Sequence, residues 1–283
     1  MSARTAACLA LIFCAALASA DDLSVEEKET ITRTFPAAKN LDIDNFDGFI
    51  NVNGSAGRDI ELEIHKTIRA RSAEKVQEAK REVQLDTEQH DENLRVYVDG
   101  PFRCKCQDGS INYRGSHFYG YEVSFDFTVK LPRETNVRLR TVNRGNVRLE
   151  NTSGTFDVDN INGGVELVEV AGSGHAYALN RPVRVLFSRN PTAASDFGSL
   201  NGDVDVTFQP DLAANLRLKT FNGGAYTDFD VIALPSLPAV AQHRDGKFVY
   251  KSDGFAGVRV GVGGPELKFD AFNGDIRIHK RGN

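Results

Sequence analysis

Two pairs of aspartates, Asp157 with Asp159 and Asp203 with Asp205, are the residues whose types and spacing come nearest to doing chemistry. Residues two apart on a β-strand share a face. Two carboxylates facing one cleft at about 5–9.5 Å would suit attack on a glycosidic bond, one as acid and the other as base or nucleophile. The same pairs could hold Ca²⁺, although no ordered ligand loop accompanies them. On a repeated strand the plainer reading is that such pairs keep an outer face wet. The cysteines are the second candidate. Cys8 and Cys14 lie in an N-terminal leader, which leaves Cys104 and Cys106 in Arg103-Cys104-Lys105-Cys106. An oxidising compartment permits a local disulfide there, closing a small strained ring that clips a loop rather than holding the fold. Free thiols or inter-chain pairing are the alternatives, and a metal site would need more ligands than a distant His117 adds. The six histidines, at 65, 90, 117, 175, 243 and 279, form no spacing motif. Metalloprotease, nucleophile-elbow and P-loop patterns are absent, and Gly261-Val262-Gly263-Gly264-Pro265 lacks the Lys and helix that phosphate binding needs. No catalytic, cofactor-binding or metal residue is assigned, and no cofactor is expected.

Those residues sit in a chain of 283 with 41% hydrophobic and 26% charged content, ordinary for a globular protein with a sizeable core. A formal net charge of -5 argues against a phosphate-backbone partner, so no nucleic acid is expected. Residues 1–20 read as a signal peptide. Arg4 supplies the basic end, residues 8–17 an apolar run too short to span a bilayer, and Ala18-Ser19-Ala20 the small-residue cleavage pattern. A retained anchor is the alternative, and a lipoprotein is disfavoured because Phe13 is bulky before Cys14. No later stretch could cross a membrane as a helix. The expectation is an exported protein of the periplasm or cell surface, with no transmembrane anchor after cleavage.

Residues 21–135 predict a β-rich segment. Ile60, Leu62 and Ile64 alternate with Glu61, Glu63 and His65, and residues 121–131 alternate throughout, the period-two signature of half-buried strands. Ser72 reads as the N-cap of a helix over 72–84, with Ala73, Val76, Ala79 and Val83 toward one face and mixed charge on the other. The loop 102–120 holds both cysteines, Tyr113, His117, Phe118 and Tyr119. A long loop so dense in aromatics is the best candidate for a contact surface, local packing over a strand edge being the alternative.

From 136 to 283 one phrase returns: apolar–x–x–apolar–Asn–Gly–x–apolar–x–apolar. Its turns are Asn162-Gly163, Asn201-Gly202, Asn222-Gly223 and Asn273-Gly274, with a form carrying one inserted residue at Asn143-Arg144-Gly145. Gly145, Gly154, Gly163 and Gly172 are nine residues apart. Asn-Gly tolerates positive φ and so turns sharply. Hairpins folding into an antiparallel β-sandwich could use such turns. So could a mainly-β solenoid, β-helix-like, with one short helix in its N-terminal part. Self-similarity favours the solenoid, because apolar positions on both sides of each corner suit coil-on-coil stacking. In register, Asn162, Asn201, Asn222 and Asn273 would stack, and His279-Lys280-Arg281 would cap the last coil.

The exported start, the alternating strand, the charged helix, Phe127-Thr128-Val129-Lys130-Leu131-Pro132-Arg133, and repeats closing on Phe272-Asn273-Gly274-Asp275-Ile276-Arg277-Ile278 together carry a resemblance. They resemble the bacterial putative-adhesin family of exported β-strand-repeat domains, over roughly residues 30–280. The resemblance implies a cell-envelope β-solenoid and carries no catalytic residues. The Cys-x-Cys loop and the excursion 231–245 depart from it. The expected function is a non-enzymatic, adhesin-like surface protein binding an extended partner such as polysaccharide or an envelope protein. The alternative is a polysaccharide-acting enzyme on a parallel β-helix.

Overall fold

The computed structural model describes residues 11–13, 23–105, 111–113, 119–235, 240–244, 247–251 and 254–282. Among them the chain is mainly β with one short helix, and no helix is long and apolar enough to cross a membrane. Contacts divide it into two compact units, Met1–Arg148 and Leu149–Asn283.

In the first unit, period-two alternation builds two mixed sheets. Val25–Pro36, Asp59–Ala70 and Tyr121–Pro132 run antiparallel side by side, and Ile50–Ser55 joins the last of these in parallel. In the other sheet Asn136–Thr141, Asn40–Asp44 and Asn93–Asp99 are parallel and in register, edged by antiparallel Gln84–His90. Inward side chains such as Ile43, Leu62, Val96 and Phe125 are buried, which supplies the stabilising burial. The helix spans Ala73–Glu82. Ser72 Oγ accepts the Lys75 N–H at 3.3 Å, and Val76 and Ala79 are buried. Lys66 breaks the apolar alternation on the inner face of its strand. Its Nζ donates to the Val83 carbonyl at 3.2 Å, just past the helix C-terminus, and lies 5.3 Å from the Phe125 ring. Burial nevertheless pushes its ammonium below the ordinary lysine value. Leu11–Phe13, inside the segment read as a leader, pairs antiparallel with residues 26–28.

In the second unit strands alternate between two sheets as the chain proceeds. Phe156–Asn160, Gly174–Ala178, Ser195–Ser199, Glu266–Ala271 and Ala214–Thr220 neighbour one another in parallel in one sheet. Val165–Val170, Val183–Phe187, Val204–Phe208, Ile276–Lys280 and Ala225–Thr227 do the same in the other. Early partners are eighteen residues apart, Phe156 with Gly174 and Val165 with Val183, so the nine-residue glycine spacing marks the step from one sheet to the other. The sheets face each other across phenyl rings. Phe187 stacks on Phe208 at 5.0 Å and Phe197 on Phe269 at 5.4 Å. The two pairs meet edge-on, Phe187 to Phe197 at 6.0 Å and Phe208 to Phe269 at 6.3 Å.

Two mixed, facing sheets are the sandwich-like layout of the alternative architecture. The hairpin connectivity of that alternative is not what joins the Asn-Gly segments, since strands flanking each turn lie in different sheets. Among the described residues of this unit, antiparallel pairing occurs where Ala256–Val260 lies against Ala214–Thr220, where Val231–Ala233 lies against Ala256–Val260, and in the hairpin Val240–Arg244 with Lys247–Lys251. One expectation is overturned. The C-terminal strands are not the end of the stack, because they insert between the 195–208 and 214–227 segments. His279-Lys280-Arg281 therefore do not cap it. Arg281 forks onto Glu169 at 2.7 and 3.0 Å, and its N–H donates to the Phe208 carbonyl at 2.8 Å.

Candidate functional site

At the corner between the two sheets of the second unit, the equivalent asparagines form one row. Asn180 Nδ2 donates to Asn162 Oδ1 at 2.8 Å, Asn201 to Asn180 at 3.1 Å, Asn273 to Asn201 at 2.8 Å and Asn222 to Asn273 at 2.7 Å. Backbone bonds follow the same steps, for example Asn273 N–H to the Leu200 carbonyl and Asn222 N–H to the Phe272 carbonyl, both 2.8 Å. A side-chain amide has two donors and two acceptor lone pairs, so each member of this exposed row keeps capacity for a partner after serving its neighbours. Sequence reading placed four of the five here and missed Asn180, which is followed by Arg181-Pro182 rather than Gly. Asn143 and Gly145 belong to the first unit, where the Asn143 N–H donates to the Phe46 carbonyl at 2.8 Å.

The turn glycines are needed for a different reason than expected. Positive φ is found at Gly145 (104°) and its first-unit counterpart Gly48 (112°), but not at Gly163, Gly202, Gly223 or Gly274. At Gly202, Gly223 and Gly274 the neighbouring backbone leaves no room. A Cβ on Gly274 would fall 2.5 Å from the Gly202 carbonyl carbon, and one on Gly223 would fall 2.7 Å from that of Gly274. Gly163 is buried, and its N–H donates to Asn160 Oδ1 at 2.9 Å. The residue after the glycine completes the logic. Asp203 Oδ1 accepts the Asp275 N–H, and Asp275 Oδ1 accepts the Gly224 N–H, both at 2.9 Å. Beside the amides runs an apolar row, Ile161, Leu179, Leu200, Phe272 and Phe221, one residue earlier in each turn. Phe272 is 44% exposed and Phe221 73%, and their rings stack at 4.9 Å with planes 5° apart.

The aspartate pairs lie on the outer faces, and each is answered by a basic side chain from a neighbouring strand. Arg277 gathers Asp203 at 2.7 Å, Asp275 at 2.5 Å and Asp205 at 3.5 Å. The Arg277 hydrogen bond, with the Asp275 N–H, holds the Asp203 carboxyl below the usual range, so it stays ionised and offers no proton. Register alternates sign along this face: Glu166, Arg184, Asp205, Arg277, with Tyr226 at the end. On the other sheet His175 Nε2 lies 3.5 Å from Asp159 Oδ1, with Asp157 and Asp196 directly opposite it on the flanking strands.

Asp159 chiefly, then Asp157 and Asp196, raise the His175 pKa above its ordinary 6.5 despite desolvation. A raised folded pKa means that the folded state binds the proton more tightly than the unfolded state. Its contribution is therefore complete below the unfolded value of about 6.5 and is lost as pH rises through the folded value. Wild type should accordingly lose melting temperature relative to His175→Gln as pH rises above about 6.5 and through the raised folded value, and the gap should then stay constant. In Asp159→Asn the imidazole titration followed by NMR should move to lower pH, and an unmoved midpoint would refute the assignment.

No family model and no curated protein matches the chain. Solved structures do. It is similar to a putative cell adhesion protein from Clostridium sporogenes at 10% identity and a TM-score of 0.42, covering 89% of this chain and 100% of that one. A putative adhesin from Bacteroides fragilis is 13% identical with a TM-score of 0.28, covering 89% and 97%. A putative lipid binding protein from Parabacteroides distasonis is 9% identical with a TM-score of 0.31, covering 89% and 97%.

The remaining candidates fall in the first unit. Cys104 lies in the strand Arg103–Lys105 opposite Asn112, while Cys106 and His117 lie outside the described residues, and so does the disulfide expectation. The start of that loop is anchored. Arg103 pairs with Asp44 at 2.7 Å with both side chains nearly buried, and Phe46 stacks on Phe102 at 3.9 Å. Among the described residues no group of three or more His, Cys, Asp or Glu side chains has metal-holding geometry. Sequence reading also missed a short amide row in this unit. Asn136 donates to Asn40 at 2.9 Å and Asn40 to Asn93 at 2.8 Å. The available signal was the shared start Asn-Val-Arg-Leu, Asn-Leu-Asp-Ile and Asn-Leu-Arg-Val of three strands. A cavity of about 450 Å³ opens beside it, where burial pushes Asp42 above its ordinary value against the pull of Arg138 and Arg95.

Proposed function

We propose that the protein is a non-enzymatic, exported binding module, adhesin-like, whose second unit is a short β-solenoid offering its corner to an extended partner, a polysaccharide or an envelope protein. One observation carries this reading: five asparagines joined side chain to side chain run beside an apolar row that ends in two stacked, exposed phenyl rings. Neighbouring parallel strands repeat these groups about every 4.8 Å, so the matching partner is itself extended and repetitive. Exposed aromatics flanked by polar groups serve binding better than stability. The outer faces favour binding over catalysis, because Arg277 and His175 occupy the carboxylates that a glycosidase would need free. The leader-like residues 1–20 support export, and their removal would take Leu11–Phe13 from the edge of Val25–Pro36.

The test is retention of purified protein on insoluble cell-wall polysaccharides and on envelope fractions. Phe221→Ser combined with Phe272→Ser should fold as wild type and reduce retention about tenfold, the equivalent of roughly 1.4 kcal/mol. Equal retention of variant and wild type, or no retention of either, would end the reading. Release of reducing sugar that disappears in Asp203→Asn would move the assignment to the enzyme class.

A further inference from the structure

The outer face of the three antiparallel strands in the first unit carries a groove of about 570 Å³, within the size range of small-ligand sites. Register explains its shape. Three rows cross the strands: Glu26, Arg69 and Glu122; then Lys28, Thr67 and Ser124; then Thr30, His65 and Asp126. Short Thr67 and Ser124 lie between rows of longer side chains, which leaves a depression floored by two hydroxyls. The turn bearing Asp47 and Phe49, with Arg144 from the following turn, walls one end.

The wall is held rigidly. Arg144 forks onto Asp47 at 3.1 and 2.7 Å and reaches Glu122 at 2.9 Å, while the Phe49 N–H donates to Asp126 Oδ1 at 3.1 Å. Two carboxylates keep the Arg144 guanidinium charged at every working pH. The rim cations are matched as well: Glu26 takes Lys28 at 2.8 Å and Arg69 at 2.7 Å. Thr30 Oγ1 shares a hydrogen bond with His65 Nδ1 at 3.1 Å.

We propose that this groove binds one or two units of a neutral saccharide, at a site separate from the corner row of the second unit. Charge balance sets the class. Arg144 holds two carboxylates and Lys28 and Arg69 share Glu26, so a phosphate or a uronic acid gains little that the protein's own acids do not supply. The unspent capacity is that of a polyol site: hydroxyls at Thr67 and Ser124, carboxylate oxygens around them, and the half-buried Phe49 ring for a sugar's C–H face. Phe49 carries the one wholly apolar side chain among the lining residues, which leaves a lipid chain little to rest on.

The experiment uses the intact protein in calorimetric titration against neutral gluco-, manno- and N-acetylglucosamine oligosaccharides, with inorganic phosphate and oligouronates as comparators. At least one neutral oligosaccharide should bind, with a Kd nearly constant between about 50 and 300 mM salt. Thr67→Val with Ser124→Ala keeps strand-compatible side chains and should weaken binding at least tenfold, whereas Thr34→Val, exposed and outside the groove, should leave it unchanged. Ser124→Tyr, which fills the depression, should abolish it. Binding of no neutral oligosaccharide overturns the proposal. So does affinity that survives the Thr67 and Ser124 changes, or a steeply salt-dependent preference for phosphate or uronates.

Discussion

Gly274→Ala should destabilise the second unit by about 3 kcal/mol and lower its melting temperature by roughly 10 °C. The cause is collision rather than dihedral strain. The residue is not in the left-handed region, yet a Cβ there would fall 2.5 Å from the Gly202 carbonyl carbon and 3.0 Å from the Asp203 nitrogen, both main-chain atoms that cannot swing aside. Relief requires separating two paired strands. That would stretch the Asn273–Asn201 bond of 2.8 Å and the Asp275 N–H to Asp203 bond of 2.9 Å together, so the loss exceeds that of one contact. Gly282→Ala is the control, since nothing lies within 4 Å of its added methyl. Thermal melts of the two variants would decide, and a Gly274→Ala midpoint within about 2 °C of wild type would contradict the close-approach account.

Phe269→Ala should cost about 4 kcal/mol, measured by guanidinium unfolding. Phe269 is fully buried and touches both layers of the core, stacking on Phe197 at 5.4 Å and meeting Phe208 edge-on at 6.3 Å. Truncation removes its transfer energy and leaves a cavity that two paired sheets cannot collapse around. In a double-mutant cycle with Phe197→Ala, about 1 kcal/mol should appear as ring–ring coupling. Phe221→Ala, equally aromatic but largely exposed, should change stability by less than about 0.5 kcal/mol. Similar losses at both positions would mean that the division between core rings and corner rings is wrong.

The strands were legible because alternation is a local property: Ile60-Leu62-Ile64 declares its buried face wherever its partners lie. The Asn-Gly turns were legible for the same reason, being short and repeated. Order within the stack was not. Four of the five segments present the same asparagine, glycine and apolar residues, so likeness says that they are equivalent without saying which adjoin. The answers to the aspartate pairs were hidden too, because Arg277 comes from 72 positions after Asp205, its directly opposed partner. The groove of the first unit is less legible still. Thr67 and Ser124 carry no motif, and only the register of three strands sets them side by side.

The insertion of residues 266–280 between the 195–208 and 214–227 segments has a topological consequence. A chain delivered from its N-terminus presents both outer pieces before the piece that separates them, so this stack cannot zip from one end to the other as a simple tandem array can. Ser195–Ser199 and Ala214–Thr220, close in sequence, have no parallel partner in common until Glu266–Ala271 threads in and makes both ladders at once. Completion of the second unit is thus reserved for residues 266–280, which ties its cooperativity to that stretch being intact.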